Sequence, residues 1–106
     1  MEFRHAFAKA LRTARKANGL TQEDFSVVSS RTYLSTLERG QKSPTLDKVH
    51  ELAQTMGIHV LSLLTLTYLY SHKNESDIDL LFELVRDEIS DISQEDSMID
   101  PESVLD

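Results

Sequence analysis

Apolar residues recur at intervals of three and four along the first 57 positions, the spacing of one face of an α-helix. This spacing predicts a first helix over residues 2–17, with Phe3, Phe7 and Leu11 on its inward face and lysines and arginines outward. No stretch of this region alternates apolar and polar residues as a half-buried strand does. The pattern therefore predicts an all-α bundle.

Small polar residues that cap helix N-termini precede three further predicted helices. The caps are Thr21 for the second helix, Ser29 or Ser30 for the third, and Thr45 or Ser43 for the fourth. Asp24 stands three residues after Thr21 and completes a capping-box signature. The third helix ends at Gly40, and the fourth, whose inward face begins with Leu46, ends before Gly57.

The fifth segment is unusually apolar. Residues 60–70 include eight apolar side chains among eleven, spread around the helix. A helix that is apolar all round is normally buried on every side, which a small bundle does not easily achieve. Two interpretations stand: a central core helix, or a helix whose far end, with Leu66, Leu69 and Tyr70, packs against a second chain.

The pattern changes again after residue 73. Ser76 and Asp79 resemble another capping box and predict an acidic amphipathic helix over about residues 77–92. Its narrow apolar stripe is formed by Ile78, Leu81, Phe82, Val85, Ile89 and Ile92, and the first five of these are the candidate dimerisation residues. Residues 93–106 are acid-rich and weakly hydrophobic, which predicts a mobile tail. We thus expect two parts, a helical domain over residues 1–72 and an acidic segment over residues 73–106.

The formal net charge of −7 argues against an approach to nucleic-acid phosphates, but it conceals a division within the chain. Residues 1–73 contain ten Lys and Arg against six Asp and Glu, a net charge of +4. Residues 74–106 contain one against twelve, a net charge of −11. The excess negative charge belongs to the C-terminal segment, so nucleic-acid binding by the first unit is not excluded.

Catalytic and metal-binding patterns are scarce. The four histidines follow no zinc-ligand spacing, the three glycines form no phosphate-binding loop, and the absence of cysteine suits a reducing cytoplasm. The N-terminal stretch lacks a secretory signal pattern, and no apolar run is long enough to span a membrane. We expect no enzymatic activity, no metal, no cofactor and no membrane association.

The second and third helices, joined by a tight connection, predict a helix–turn–helix. A helix that enters the major groove brings its N-terminal side chains to the base edges first. The candidate base-reading residues are Arg31, Thr32, Ser35 and Thr36. The candidate phosphate-binding residues are Gln22, Ser30, Arg39, Lys42 and Ser43. Arg31 taken alone is equally consistent with a solvated surface arginine, and the surrounding polar set favours DNA binding.

The stretches "ARKANGLTQEDF" and "SSRTYLSTLERGQKSPTLDKVHELAQTMGI" together resemble the lambda-repressor-like (XRE, Cro/CI type) helix–turn–helix regulators over about residues 4–70. The resemblance implies a five-helix domain that binds double-stranded DNA as a dimer. It also implies a phosphate-binding role for Gln22 and a structural ion pair between Arg15 and Glu38. Residues 21–40 are about two fewer than the family usually has and lack its turn glycine, and His59 replaces the usual serine-like cap.

The sequence therefore predicts a sequence-specific transcription regulator, acting in the cytoplasm on the nucleoid. We expect a repressor that binds a pseudo-palindromic operator as a homodimer. The alternative is an antitoxin or adaptor that uses the helix–turn–helix as a scaffold and binds a protein partner through its acidic C-terminal segment.

Overall fold

The computed structural model describes residues 1–72 and 77–95, and within these ranges every regular element is helical. The elements are α1 (Phe3–Ala17), a 3₁₀ helix (Gln22–Phe25), α2 (Arg31–Glu38), α3 (Leu46–Met56), α4 (Val60–Ser71) and α5 (Ile78–Glu95). The all-α prediction is confirmed. The chain divides into two units, residues 1–74 and 75–106, which are described separately.

All three predicted N-caps of the first unit are present. Thr21 and Asp24 form a reciprocal capping box at the 3₁₀ helix. The Ser30 hydroxyl accepts a hydrogen bond from the Tyr33 amide at 3.1 Å, and Thr45 does the same for the Lys48 amide at 3.1 Å. Each cap satisfies an amide that has no partner inside its own helix, so these residues define where α2 and α3 begin.

The core of the first unit lies where α1 packs against α2 and α4, and where α3 packs against α4. Its fully buried large side chains are Phe25, Leu11, Leu34, Leu37, Leu52 and Leu63, together with Thr67. Truncating one such leucine to alanine removes apolar contacts and leaves a cavity, at a cost of about 2–5 kcal/mol. This core holds α2 in place and exposes the opposite side of that helix.

Two residues predicted on inward faces are exposed, and that prediction was wrong for them. Phe3 is 54% exposed and Leu46 is 81% exposed. Each is the first residue of its helix, and burial begins three residues later, at Ala6 in α1 and Val49 in α3. Helical periodicity identifies the face on which a residue lies but not how far along the helix the core extends.

The strongly apolar α4 is a core helix along part of its surface. Leu63 is fully buried, as is Thr67, whose hydroxyl donates to the Leu63 carbonyl at 2.8 Å. Leu66 and Tyr70 are half-buried and pack against the core, and Leu69 is half-buried as well. The face that carries these three residues is thus partly covered by contacts within the chain, and its role in dimerisation stays a prediction.

In the second unit, α5 differs from the prediction at both ends. The Asp77 carboxylate accepts hydrogen bonds from the amides of Asp79 and Leu80, at 2.9 and 3.2 Å, so the cap is Asp77. The predicted cap Ser76 lies outside the described residues. The helix continues to Glu95, so residues 93–95 are helical instead of belonging to the tail. The rest of the predicted tail, residues 96–106, lies outside the described residues.

The surface of α5 is broadly exposed, and none of its residues is buried. Four of the five candidate dimerisation residues of this helix are exposed, by 38–56%, and Leu81 is half-buried. Those four are Ile78, Phe82, Val85 and Ile89. The face opposite these residues is acidic, but Leu80 and Leu84 lie among its acids and are 63% and 54% exposed. Apolar side chains therefore occupy more than one face of the helix.

Two further properties concern only the described residues, 1–72 and 77–95. No single helix there is long and apolar enough to cross a membrane; α3 and α4 taken together reach that length and composition, but they are bent by 107° where they meet. Within the same residues, no three His, Asp or Glu side chains are grouped in a way that could hold a metal ion.

Candidate nucleic-acid interface

The segment that leads into α2 is compact and makes its turn without glycine. The second helix is reduced to one 3₁₀ turn, and the amides of Val28 and Ser29 both donate back to the Phe25 carbonyl, at 3.0 and 2.9 Å. The Phe25 side chain is fully buried and anchors the segment in the core. Every positive φ among the described residues belongs to a glycine, so this turn needs no left-handed residue. These features account for the short spacing between Thr21 and Gly40.

The same segment is held from a second direction by α3. The Lys48 ammonium donates a hydrogen bond to the Val28 carbonyl and lies 2.9 Å from a carboxylate oxygen of Glu51. Sequence reasoning missed this contact. Its partners are 20 residues apart, and only the local Lys48–Glu51 spacing is visible in the sequence.

Arg15 and Glu38 form a buried, two-pronged ion pair that joins α1 to the end of α2. The Arg15 Nε atom donates to Glu38 Oε2 at 2.7 Å, and Nη2 donates to Oε1 at 2.9 Å. A third bond runs from Nη1 to the Leu20 carbonyl at 3.0 Å. The hydrogen bond to Glu38 raises the pKa of Arg15 despite the opposing effect of burial. Because a raised pKa stabilises the fold at every pH below the ordinary guanidinium value, this contribution is lost only in strong alkali.

Gln22 is connected to the same carboxylate. Its side-chain nitrogen donates to Glu38 Oε1 at 3.2 Å, which leaves its second amide hydrogen and its carbonyl oxygen available. The residue is half-buried and lies at the first position of the 3₁₀ helix. The ion pair therefore fixes the direction of the side chain to which we assigned a phosphate contact.

Five of the predicted DNA-contacting residues line one open concavity of about 330 Å³. They are Gln22, Arg31, Thr32, Ser35 and Arg39. Both arginines are exposed, and Arg39 is braced by a hydrogen bond from Nε to the Ser35 carbonyl at 3.3 Å. Within the described residues, Arg31 takes part in no ion pair or side-chain hydrogen bond, so its guanidinium is available for binding.

The other four predicted residues lie outside this concavity. The Thr36 hydroxyl donates to the Thr32 carbonyl at 2.8 Å, so towards a ligand it offers a hydrogen-bond acceptor and a methyl group. The Ser30 hydroxyl accepts from an amide and keeps its own proton to donate. Lys42 lies 6.0 Å from the centre of the Tyr33 ring, and Ser43 is exposed.

This arrangement provides exposed donors beside small polar side chains along one side of α2, from Arg31 to the C-cap Arg39. Guanidinium groups bind guanine edges or phosphates in two-pronged geometry, and threonine pairs a hydroxyl with a methyl that packs on thymine. The model of the helix-turn-helix family matches residues 11–63. The chain belongs to this family of DNA-binding transcription regulators. Members of the family are typically not enzymes.

Two curated relatives are similar to the chain over most of their own length. An uncharacterised HTH-type transcriptional regulator of Sinorhizobium fredii, y4dJ, is 39% identical over 69 residues, which cover 63% of this chain and 90% of that protein. The control protein C.SmaI of Serratia marcescens is 33% identical over 67 residues, which cover 61% of this chain and 80% of that protein. Both alignments support membership of the family.

A solved structure has a similar fold. The clp gene regulator ClgR from Corynebacterium glutamicum aligns with a TM-score of 0.62 over 89% of this chain and 93% of its own. Because the sequences are only 22% identical, this similarity concerns the fold alone.

Proposed function

We propose that the helix–turn–helix protein represses transcription by binding a pseudo-palindromic operator as a homodimer, in the cytoplasm on the nucleoid. In this proposal residues 1–72 bind double-stranded DNA, and residues 73–106 form a separate acidic segment that contributes to dimerisation. Arg31, Thr32, Ser35 and Thr36 read bases.

The remaining candidate residues bind phosphates. They are Gln22, Ser30, Arg39, Lys42 and Ser43. Phosphate contacts orient the protein on the duplex, and base contacts provide the preference for one sequence.

The observation that carries the proposal is the concavity that extends along α2, from its first residue Arg31 to its C-cap Arg39. It brings Gln22, Arg31 and Arg39 together although they lie on two different helical elements and at a helix end. Two exposed guanidinium groups in a unit of net charge +4 attract a polyanion, and the adjacent hydroxyls can distinguish its base edges. The regulator and control-protein names of the two relatives agree with this function.

Dimerisation is supported by apolar surface on α5. This 18-residue helix exposes Ile78, Phe82, Val85 and Ile89. Exposed apolar surface of this kind is unfavourable in water, and pairing with a second copy of the chain would bury it. In a two-fold dimer on DNA, the two copies of α2 would lie about 34 Å apart, one turn of the double helix. This spacing requires an operator with two half-sites.

The proposal is tested by selecting bound DNA from a random pool at physiological salt, with the oligomeric state measured by light scattering at the same concentration. We expect an enriched inverted repeat and a dimeric mass. A transcription assay on a promoter that overlaps the enriched site should show reduced transcript. A pool that returns no common sequence, or a monomeric protein with a single half-site, would contradict the proposal.

A second candidate function is binding of a basic protein partner by the acidic segment, as in an antitoxin or an adaptor. The exposed acids of α5 favour it, since Asp79, Glu83 and Asp87 follow one another at four-residue spacing on an exposed helix. A stoichiometric partner recovered with the full chain, and lost when residues 75–106 are removed, would support this function over autonomous DNA binding.

A further inference from the structure

Lys48 is held more firmly than a surface lysine usually is. Its side chain is only 24% exposed, and its ammonium contacts two acceptors, the Val28 carbonyl and the Glu51 carboxylate. Lysine normally keeps its charged end in water while its aliphatic stem covers apolar surface. Here the charged end instead reaches from α3 to the segment that precedes α2.

The segment that Lys48 contacts determines how α2 is presented. Residues 26–30 connect the 3₁₀ helix to α2, and the amides of Val28 and Ser29 are already bonded to the Phe25 carbonyl. The bond from Lys48 fixes the carbonyl side of the same segment, two residues before the cap Ser30. With the amide side and the carbonyl side both bonded, the turn is held in one conformation.

The short connection makes this contact more important. The second helix is a single 3₁₀ turn of four residues. It therefore provides little helical surface for α2 to pack against, and packing on it does little to fix the orientation of α2. The candidate base-reading residues Arg31 and Thr32 are the first two residues of α2, directly after the turn. A small rotation at Val28 would therefore move their side chains relative to a base pair.

We propose that Lys48 is a positioning residue for sequence recognition, which acts by holding the Val28 carbonyl and thereby the angle of α2. This inference rests on the proposed DNA-binding function. Lys48 acts through the turn and makes no contact with DNA in this proposal. If Lys48 instead contacted a phosphate, its removal would reduce the salt dependence of DNA affinity, which makes the two roles distinguishable.

The experiment compares Lys48→Met with Lys42→Met, because both changes remove one ammonium and keep an aliphatic stem. Affinity is measured for the selected operator and for unrelated DNA at several salt concentrations. Without the charge-assisted bond from Lys48 the turn should populate other conformations, and operator binding weakens by the fraction of molecules that remain competent. We therefore expect Lys48→Met to weaken operator binding about tenfold, with little change on unrelated DNA and an unchanged salt slope. Lys42→Met should weaken both DNAs and lower the salt slope by about one.

Amide hydrogen exchange gives a readout of the turn itself. In Lys48→Met, the Val28 and Ser29 amides should exchange faster while the core amides of Leu52 and Ala53 keep their protection. Glu51→Gln, which leaves Lys48 in place but removes its second partner, should produce the same changes to a smaller extent. It carries the test if Lys48→Met does not fold.

Three results would overturn the inference. The first is wild-type operator affinity in both Lys48→Met and Glu51→Gln. The second is an equal loss of affinity by Lys48→Met on operator and unrelated DNA, with a reduced salt slope. The third is unchanged amide exchange at Val28 and Ser29 in Lys48→Met. If the wild-type protein has no preferred site, the proposed function fails, and the exchange measurement still shows whether Lys48 holds the turn.

Discussion

The Arg15 guanidinium is bonded to both carboxylate oxygens of Glu38, at 2.7 and 2.9 Å, and so ties the first helix of the fold to the last turn of α2. The same carboxylate accepts a bond from Gln22 at 3.2 Å. One buried group thus joins a structural contact to a residue with a proposed phosphate contact.

Replacing Arg15 by Met should destabilise the protein by about 3 kcal/mol or more, because Glu38 would remain buried without its partner. Urea unfolding followed by circular dichroism measures this change. The double variant Arg15→Met/Glu38→Leu should recover much of the loss, since it contains no uncompensated charge.

Operator affinity of the double variant should nevertheless stay below that of the wild type, because Gln22 has lost the group that orients it. A double variant as unstable as the single one would contradict the ion-pair explanation. Full recovery of DNA affinity would contradict the link to Gln22.

Gly40 should tolerate substitution less well than Gly57. Both have positive φ, +70° and +73°, but a Cβ at Gly40 would lie 2.5 Å from His5 Nδ1, whereas nothing lies within 4 Å of one at Gly57. Gly57→Ala should cost about 1–2 kcal/mol, the backbone strain alone, and Gly40→Ala should cost more. Adding His5→Ala to Gly40→Ala should bring the cost down towards the Gly57 value. Equal thermal stability of the two single variants would exclude a steric role for His5.

His59 should act as the N-cap of α4. Its Nδ1 atom accepts a hydrogen bond from the Leu61 amide at 3.0 Å, the role usually filled by a small polar side chain. His59→Ala should cost about 1 kcal/mol in urea unfolding, and His59→Ser should retain most of the stability. His50→Ala, at an exposed position of α3, serves as the control and should change stability by less than about 0.5 kcal/mol. A loss in His59→Ser as large as in His59→Ala would argue against the cap.

The acidic segment should reduce non-specific DNA binding. Residues 74–106 carry a net charge of −11, which repels phosphates or competes with them for the basic unit. A chain ending at residue 73 should therefore bind unrelated DNA more tightly at low salt, and the difference should shrink as salt is raised. Titration by fluorescence anisotropy measures both. Unchanged affinity in a truncated protein that is still dimeric would rule out this role.

The parts of the structure that depend on local sequence were predictable. Thr21 with Asp24 and the caps Ser30 and Thr45 act over three residues, so their spacing in the chain determines their geometry. The Arg15–Glu38 pair spans 23 residues and was expected only because the chain resembles a known family. Local spacing alone contains no such information.

Other features depend on where helices end and meet, which periodicity does not encode. Phe3 and Leu46 fit the apolar pattern but lie beyond the core, and Leu80 and Leu84 lie outside the stripe that was assigned to α5. The contact between Lys48 and Val28 requires α3 to come close to the turn. Such a contact becomes visible only when the packing of the helices is known.

In the proposed function, α2 reads DNA sequence through exposed side chains that begin with Arg31, its first residue. Arg31→Ala tests it best, because Arg31 is exposed and its loss should leave stability within about 0.5 kcal/mol of the wild type. Lys42→Ala is the matched control and should weaken all sequences alike.

The decisive measurement is the selection of bound DNA from one random pool by the wild type, Arg31→Ala and Lys42→Ala in parallel. Arg31→Ala should lose about 1–3 kcal/mol of operator affinity and the preference at one base position of each half-site, whereas Lys42→Ala should return the wild-type sequence with lower affinity. The same enriched sequence, bound equally well by Arg31→Ala and the wild type, would contradict a base-reading role for Arg31.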